Sequence, residues 1–476
     1  MESSAALVMD THAYSINRQQ RSLFDYDALA ESKLIHSAEK FGFFSLLTKK
    51  DGRGFQRSFK LTDMAKVLPL LPLDRDTYIS QAEFILPNRR VVNLARVGLL
   101  FVDLDCYDLE PAKAMSKLFW TCDENNIPHP SILIFSGRGL QAKWILETPQ
   151  PRYALPRWNA VQAALVNIFI DIGGDRQARD ASRVLRLVGT TNSRSNQRVV
   201  VLHVNHDEAM QPKIFSFEYM AEILLPYGRD YQGQNDHPFT LEEQEAIAKR
   251  REAREAKSKA NQGLILIQGT SNTGLHRFSG RQLAWHRMED IRKLTAMRGE
   301  VKQGQSMSTL FWSLNFLLLS GATNSNQMFH EAKTLAKEFG FGELNRQDEL
   351  STLYAKAKEF EAGKTIKLGG KVYPALYTPK NANLIDIFKI TDDEQKKLRT
   401  IISKDIAKER DRDRDTARRR ASGSVSREEY LSANDEKRIK AKVMSQNGLS
   451  NAAISIELGL NKATIGRWLK VGVVMV

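Results

Sequence analysis

Val97-Gly98-Leu99-Leu100-Phe101-Val102-Asp103-Leu104-Asp105 is the most informative stretch of this 476-residue chain. An uninterrupted apolar run of this length reads as a buried strand, and it is far too short to cross a bilayer. Side chains alternate along a strand, so Asp103 and Asp105 project together from one face at its end. Two adjacent anions on one face repel each other unless a cation sits between them. A hard divalent ion with oxygen ligands, Mg²⁺ or Mn²⁺, is the natural occupant. Surface turns also produce Asp-x-Asp, but here the strand holds the acids at a rim.

On the N-terminal side, residues 26–47 carry a helical pattern that leads to the polar turn Lys49-Lys50-Asp51-Gly52-Arg53-Gly54. On the C-terminal side, residues 110–126 have helical spacing, stopped by Pro128 and Pro130. Residues 131–135 and 140–146 read as two strands joined through Gly137-Arg138-Gly139, as in a hairpin. Leu155, Trp158, Val161, Leu165, Phe169 and Ile172 recur every three or four residues, one amphipathic helix ended by Gly173-Gly174. A further strand is expected over residues 199–204. Interleaved strands and helices of this kind predict an α/β or α+β domain, and α+β is the class expected for the chain.

Two more segments carry chemistry. In Ser136-Gly-Arg138-Gly-Leu-Gln141-Ala-Lys143-Trp144 the glycines allow close approach of the backbone to a ligand, and Arg138 and Lys143 add positive charge. In Asp175-Arg-Gln-Ala-Arg-Asp180-Ala-Ser-Arg183-Val-Leu-Arg186-Leu-Val-Gly-Thr-Thr-Asn192-Ser-Arg194, carboxylates and arginines precede a Gly-Thr-Thr-Asn turn. This combination suits a metal site that also neutralises a triphosphate.

The order and spacing of these three segments, over residues 75–215, resemble the archaeo-eukaryotic primase superfamily, in particular the primases of plasmids and integrative elements. The resemblance implies an RRM-like catalytic domain that polymerises nucleotides with two metal ions. It implies Asp103 and Asp105 as metal ligands, with Asp180 as third carboxylate and Asp175 as the alternative. Ser136 and Arg138 would contact the phosphates of the incoming nucleotide, and Arg183 and Arg186 would line the nucleotide or template side. Gln141 occupies the position where the family usually carries a histidine that touches phosphate. Gln donates a hydrogen bond without charge, so Lys143 is expected to take over the electrostatic part.

Near the C-terminus, Ser450 is placed to cap a short helix, Gly459-Leu460 to make a tight turn, and Asn461 to cap a last helix in which Ile465, Trp468 and Leu469 pack. This spacing resembles a helix-turn-helix of the resolvase or transposase type, which would present Lys462, Thr464, Arg467 and Lys470 to the major groove. Residues 362–365, Ala-Gly-Lys-Thr, look like the end of a phosphate loop, but Lys358 stands where its first glycine is needed.

The bulk composition agrees with a polyanionic partner: 70 Lys and Arg against 56 Asp and Glu give a net charge of +14. Two cysteines, Cys106 and Cys122, cannot alone make a four-ligand zinc site and suggest no disulfide framework. Residues 1–13 show no secretory pattern, so a cytoplasmic protein without membrane contact is expected.

The expected organisation is a mostly helical extension (1–74), an RRM-like primase-polymerase domain (75–226), a charged helical linker and loop (227–280) and a helical domain (281–375). A second charged linker (376–430) and a helix-turn-helix unit (431–476) follow. Residues 240–260 lack a core-facing stripe and read as a solvent-exposed spacer, 226–238 as a turn-rich exit, and 263–280 as a loop. The functional expectation is a primase acting on single-stranded DNA with nucleoside triphosphates for a plasmid, phage or integrative element, alongside a separate helicase, with duplex DNA bound by the C-terminal unit. The alternative is a non-catalytic initiator or regulator that keeps the fold to hold DNA.

Overall fold

The computed structural model describes residues 26–37, 41–50, 52–225, 239–260, 272–299, 301, 304–341 and 347–470. Among these, the chain divides into two compact units. One holds the residues up to Phe388 with Leu398–Ile401, the other Lys389–Lys397 and the residues from Ile402 onward.

The first unit is α+β. Its strands are β1 (Phe43–Lys50), β2 (Arg53–Lys60), β3 (Thr77–Ser80), β4 (Ala82–Phe84), β5 (Leu94–Leu104), β6 (Ile132–Phe135), β7 (Leu140–Pro151), β8 (Val184–Arg186), β9 (Thr191–Asn192), β10 (Gln197–Arg198) and β11 (Val200–Val204). Nine of them form one sheet in the order β11-β6-β7-β5-β4-β1-β3-β8, with β2 on β1 and β9 and β10 as a separate ribbon. The strand pairings of the sheet are antiparallel. The expected strand ending in acids is β5, and the expected hairpin is β6–β7, in register from Phe135↔Leu140 to Ile132↔Lys143.

The helices flanking the sheet are α1 (Ala28–Ile35), α2 (Pro111–Glu124), α3 (Leu155–Ile168), α4 (Phe217–Leu224) and α5 (Leu241–Ala260). The helical pattern read over residues 26–47 is helix only as far as Ile35. From Phe43 the chain pairs with β2, β3 and β4 as strand β1, with Phe44 and Leu46 in the core. Among its described residues the expected helical extension holds helix at Ala28–Ile35 and Met64–Val67, but also the strands β1 and β2, which are continuous with the strands that follow.

Helix α5 is not a spacer. Arg254 donates to the carbonyls of Ile223 (2.6 Å), Leu224 (2.8 Å) and Leu225, which lie at the C-terminal end of α4. Arg251 pairs with Glu222 at 2.9 Å, and Ile247 is buried. A guanidinium satisfies carbonyls that a helix end leaves open, so a helix with a weak apolar stripe can still dock. The expected exit over 226–238 lies outside the described residues. Of the expected loop, 263–271 also lie outside them, and 272–280 belong to the next helix.

Helices α6 (Asn272–Arg298), α7 (Ser306–Leu319), α8 (Ser325–Glu338), α9 (Ser351–Glu361) and α10 (Asn381–Phe388) complete the unit, with the hairpin β12 (Thr365–Leu368) and β13 (Lys371–Pro374) between α9 and α10. Leu310, Leu314, Leu317 and Leu318 are buried as expected, whereas Phe311 is half-buried. Glu331 of α8 accepts hydrogen bonds from the Val91 and Val92 amides at 3.0 and 3.2 Å, which ties the helical part to the approach to β5.

The second unit is helical: α11 (Asp392–Lys397), α12 (Lys404–Ala421), α13 (Arg427–Gln446), α14 (Asn451–Glu457) and α15 (Lys462–Lys470). Among its described residues, α12 buries only Ile406. Helix α13 starts at Arg427 behind a Ser426–Glu429 capping box, so the expected boundary at 431 falls inside it.

One sheet residue and one turn residue meet α1. Lys143 on β7 is fully buried and pairs with Glu31 of α1 at 2.6 Å, and the other Glu31 oxygen accepts from the Val188 amide at 2.8 Å. Removing one partner of a buried pair leaves an uncompensated charge, at a cost of about 3–5 kcal/mol. Lys143→Met should therefore lower unfolding stability in urea by about that amount. The double variant with Glu31→Gln should recover much of the loss, because a glutamine oxygen still accepts from Val188.

Candidate active site at the end of strand β5

Past Val97, β5 has a strand on one side only, β7. Its outer edge carries backbone groups that would each cost about 1–3 kcal/mol if buried unsatisfied. Helix α3 and the chain after it supply the partners. The Trp158 indole donates to the Leu99 carbonyl at 3.0 Å. The Gln162 amide, one turn further on, accepts from the Phe101 amide at 3.1 Å and donates to its carbonyl at 2.6 Å. Beyond the helix, the Asp175 amide donates to the Asp103 carbonyl at 2.9 Å, and the Asp105 amide donates to the Gly173 carbonyl at 2.8 Å. Asp175 is thereby drawn beside the Asp103–Asp105 pair.

Burial pushes the Asp103 carboxyl up to about 6. Arg183 works against that shift, while Asp105 and Asp175 add to it. Asp105 is exposed and accepts a 2.5 Å hydrogen bond from the Tyr107 hydroxyl. Burial and that bond push the Tyr107 hydroxyl up to about 12, so it remains a donor. The guanidinium of Arg138 lies over the Tyr107 ring, 4.1 Å from its centre.

The turn Ser136–Gly139 brings Arg138 to this place. A Cβ on Gly139 would stand 2.1 Å from the Leu104 carbonyl oxygen, and one on Gly137, where φ is +86°, would stand 2.5 Å from Asn192 Cβ. Only glycine permits both approaches. The Asn192 side chain donates to the Ser136 carbonyl at 2.9 Å, so the Gly-Thr-Thr-Asn turn braces the glycine turn.

Between these elements lies a cleft of about 170 Å³ whose lining includes Asp103, Asp105, Tyr107, Arg138, Arg186 and Arg194. Three guanidinium groups thus share one opening with two carboxylates. Arg186 is held by an ion pair with Asp76 and lies 4.8 Å from the centre of the Tyr78 ring. Although burial works against its charge, hydrogen bonds from Ser193 and Arg186 hold the Asp76 carboxyl below its ordinary value.

Four residues expected at the site have other partners. Lys143 is in the ion pair with Glu31 and does not line the cleft. Gln141 lines the cleft and is the cross-strand neighbour of Asp103, but its amide lies against the backbone of Arg186, and with its oxygen turned to the Arg186 N–H it accepts there at 3.0 Å and donates to the C=O at 3.3 Å. The Ser136 hydroxyl bonds within its own turn, to the amide and carbonyl of Gly139. Asp180 accepts from the Ser182 hydroxyl at 2.6 Å and lies near Arg89 and Glu331, whereas the carboxylates that act on Asp103 are Asp105 and Asp175. Asp175 itself accepts from the Gln177 amide at 2.7 Å and pairs with Arg183 at 3.2 Å. Among the described residues no three His, Cys, Asp or Glu side chains converge as a metal cluster, so the trio Asp103, Asp105 and Asp180 is not brought together.

Sequence reasoning overlooked Asp76, Tyr78, Tyr107 and Gln162. Tyr107, two positions after Asp105, was within reach of the alternation argument. Asp76 and Gln162 act through partners 110 and 61 positions away, which no local pattern marks.

In the second unit, Ser450 caps α14 through the Ala453 amide, and Gly459, at φ +62°, makes the turn to α15. Ala441, Ile454 and Ile465 form a small core joined by Trp468 and Leu469. Lys462, Arg467 and Lys470 are exposed, and Thr464 is half-buried.

No family model matches the chain. A protein of Clostridium perfringens described as "Replication protein" is 28% identical over 335 residues, covering 70% of this chain and 69% of that protein. Among solved structures, similarity extends to the primase-polymerase domain of cyanophage S-2L (TM-score 0.33, 16% identity, 42% of this chain and 97% of that one). It also extends to primase RepB' (TM-score 0.28, 14% identity, 69% of this chain and 94% of that one). Among the described residues no helix is long and apolar enough to cross a membrane.

The glycine turn can be tested by adding one carbon. Gly139→Ala forces the turn off the end of β5 and should cost about 1–3 kcal/mol of stability, as overpacking does. It should also release Arg138 from Tyr107, which a crystal structure of the variant would display as a displaced guanidinium.

Proposed function

We propose that the chain is a DNA-replication protein whose first unit is a primase or primase-polymerase, joining nucleoside triphosphates on a single-stranded DNA template of a plasmid, phage or integrative element. The observation that carries this reading is the cleft that sets Asp103 and Asp105 opposite Arg138, Arg186 and Arg194. The relative described as a replication protein supports it independently.

The donor set fits a hard divalent cation. Asp103 and Asp105 are oxygen donors two positions apart on one strand face, and their mutual repulsion is what a cation relieves. These two would hold Mg²⁺ or Mn²⁺, with Asp175 rather than Asp180 as the neighbouring acid. When bound, the cation supplies Lewis-acid stabilisation of phosphoryl oxygens and lowers the pKa of an attacking hydroxyl.

The chain's own residues do the rest. Arg138, Arg186 and Arg194 bind the negative charge of the triphosphate. The Asp76 pair and the Tyr107 ring fix two of these guanidinium groups before the nucleotide arrives, so little reorganisation is needed. Tyr107 holds the outer acid in place through its hydroxyl. Gln141, neutral and already bonded, leaves the charge of Asp103 uncompensated by the strand opposite. The absence of a third converging acid among the described residues favours a second reading, a DNA-binding domain without catalysis.

Primer synthesis on single-stranded DNA separates the two. Asp103→Asn and Asp105→Asn should abolish incorporation with folding intact. Asp175→Asn should lower it about 10–100-fold, as loss of an orienting partner does, and Asp180→Asn should leave it near wild type. Wild-type protein inactive with both Mg²⁺ and Mn²⁺ would establish the binding-only reading.

The helices α14 and α15 form a helix-turn-helix in this proposal, with α15 reading duplex DNA through Lys462, Thr464, Arg467 and Lys470. Arg467→Ala should cost about 1–3 kcal/mol of duplex affinity in a sequence-dependent way if it reads a base edge. Binding titrations on matched and scrambled duplexes measure this, and a uniform loss would assign Arg467 to phosphate instead.

A further inference from the structure

The hairpin β12–β13 has no role in the cleft, and its construction is that of a projecting wing. Helix α9 ends at Glu361, and Gly363, where φ is +74°, turns the chain into β12. Gly369 and Gly370 make a two-residue turn with φ of +54° and +75°, the left-handed pair that a tight hairpin of right-handed twist requires. The returning strand is pinned at its base. The Tyr377 amide donates to the Asn315 side chain at 3.0 Å, the same side chain donates to the Tyr377 carbonyl at 2.8 Å, and Ala375 and Leu376 are buried.

Charge on this segment is one-sided. Residues 351–380 contain six lysines and two glutamates, with no Asp or Arg, a net of +4. Glu361 turns inward to the amide and hydroxyl of Ser325, at the start of α8. Glu359 is matched by Lys364 at 3.5 Å, an exposed pair of little strength. Lys356 lies 5.1 Å from the Tyr377 ring centre and Lys358 4.6 Å from that of Tyr354. On the hairpin itself Lys367 is exposed, as are Ile366 (43%) and Val372 (61%). An ordinary solvated face mixes both signs and has little reason to hold aliphatic side chains in water on a braced strand. Cations interleaved with aromatic and aliphatic groups on an exposed hairpin are the footprint of a polyanion with an apolar component.

We infer that α9 and the β12–β13 hairpin together form a second nucleic-acid contact, in which Lys364 and Lys367 grip the sugar-phosphate backbone and Val372, paired directly across from Lys367, packs against the sugar or base faces. This surface is distinct from the cleft and from the C-terminal helices.

The test uses the full chain with Lys364→Ala and Lys367→Ala combined, and labelled DNA titrated by anisotropy across a range of salt. Both lysines are exposed, so the thermal melt should not move. Weaker binding is expected, with the slope of log affinity against log salt shallower by about 0.7 per lysine on a single strand or about 0.9 on a duplex. A loss confined to one arm identifies which form of DNA the wing holds. Lys364→Arg with Lys367→Arg should restore both affinity and slope. Affinity and slope unchanged on both DNAs would overturn the inference. This readout needs no nucleotide incorporation, so a catalytically silent cleft and an idle wing give different results.

Discussion

A strand in mid-sheet that loses its neighbour must find other partners for every second pair of backbone groups. Strand β5 meets this condition at Leu99, just where its apolar run approaches the two acids. An additional strand there would have covered the rim. A helix laid alongside would have left the edge bare unless it carried polar side chains at the correct interval. Trp158 and Gln162 are spaced one helical turn apart and reach backbone groups two strand residues apart, about 5–7 Å in both cases. After the helix ends, the chain continues the same edge with its own backbone through Gly173 and Asp175. The acids thus project from a strand whose position is over-determined, with Asp103 lining the cleft and Asp105 exposed at its rim.

The same edge explains the electrostatics. Asp175 stands near Asp103 because its amide completes the edge, and its carboxylate brings Arg183 with it. One more negative group therefore arrives together with a cation, and Arg183 offsets part of the repulsion that Asp105 and Asp175 place on Asp103. Asp180 lies five residues further along, after the chain has turned toward Arg89 and the helical part. An apparently suitable spacing in sequence is overruled by where the backbone leaves the sheet.

Much of this was legible from residue patterns. The alternation and apolar run of β5, the glycine-centred β6–β7 hairpin, the period of α3 and the caps of α14 and α15 are local signals, and each appears where it was expected, except that α3 ends at Ile168 and a separate 3-10 turn carries Ile170–Ile172 to Gly173. The errors share one cause. Phe43, Phe44, Leu46 and Leu47 satisfy a helical and a strand pattern equally well over a few residues, and only pairing with β2 and β3 decides between them. Helix α5 looks unpartnered because its docking contacts are guanidinium to carbonyl, which no hydrophobic period records. Lys143 is in the correct strand and on the face of Asp103, yet its counter-ion lies 112 positions away.

Gln141 and Lys143 show how the sheet closes behind the site. They occupy alternate positions on β7, and they meet alternate positions of the chain that leaves β8. Gln141 binds the backbone of Arg186, and Lys143 reaches the Val188 amide through Glu31. Strand β8 is at the far edge of the sheet by pairing order, so these two bridges draw that edge back across the face of β7. Val188 and Val199 then pack with Ile132 and Ile134 of β6 and with β11, and the turn bearing Asn192 comes down on the glycine turn. A free lysine or a charged imidazole at position 141 could meet a phosphate, but it could not satisfy both backbone groups of Arg186. The neutral amide does so, and in holding that residue's backbone it helps fix the Arg186 guanidinium in the cleft. The loss of a charge at Gln141 is thus linked to the placement of a different charge, on the strand that the amide secures.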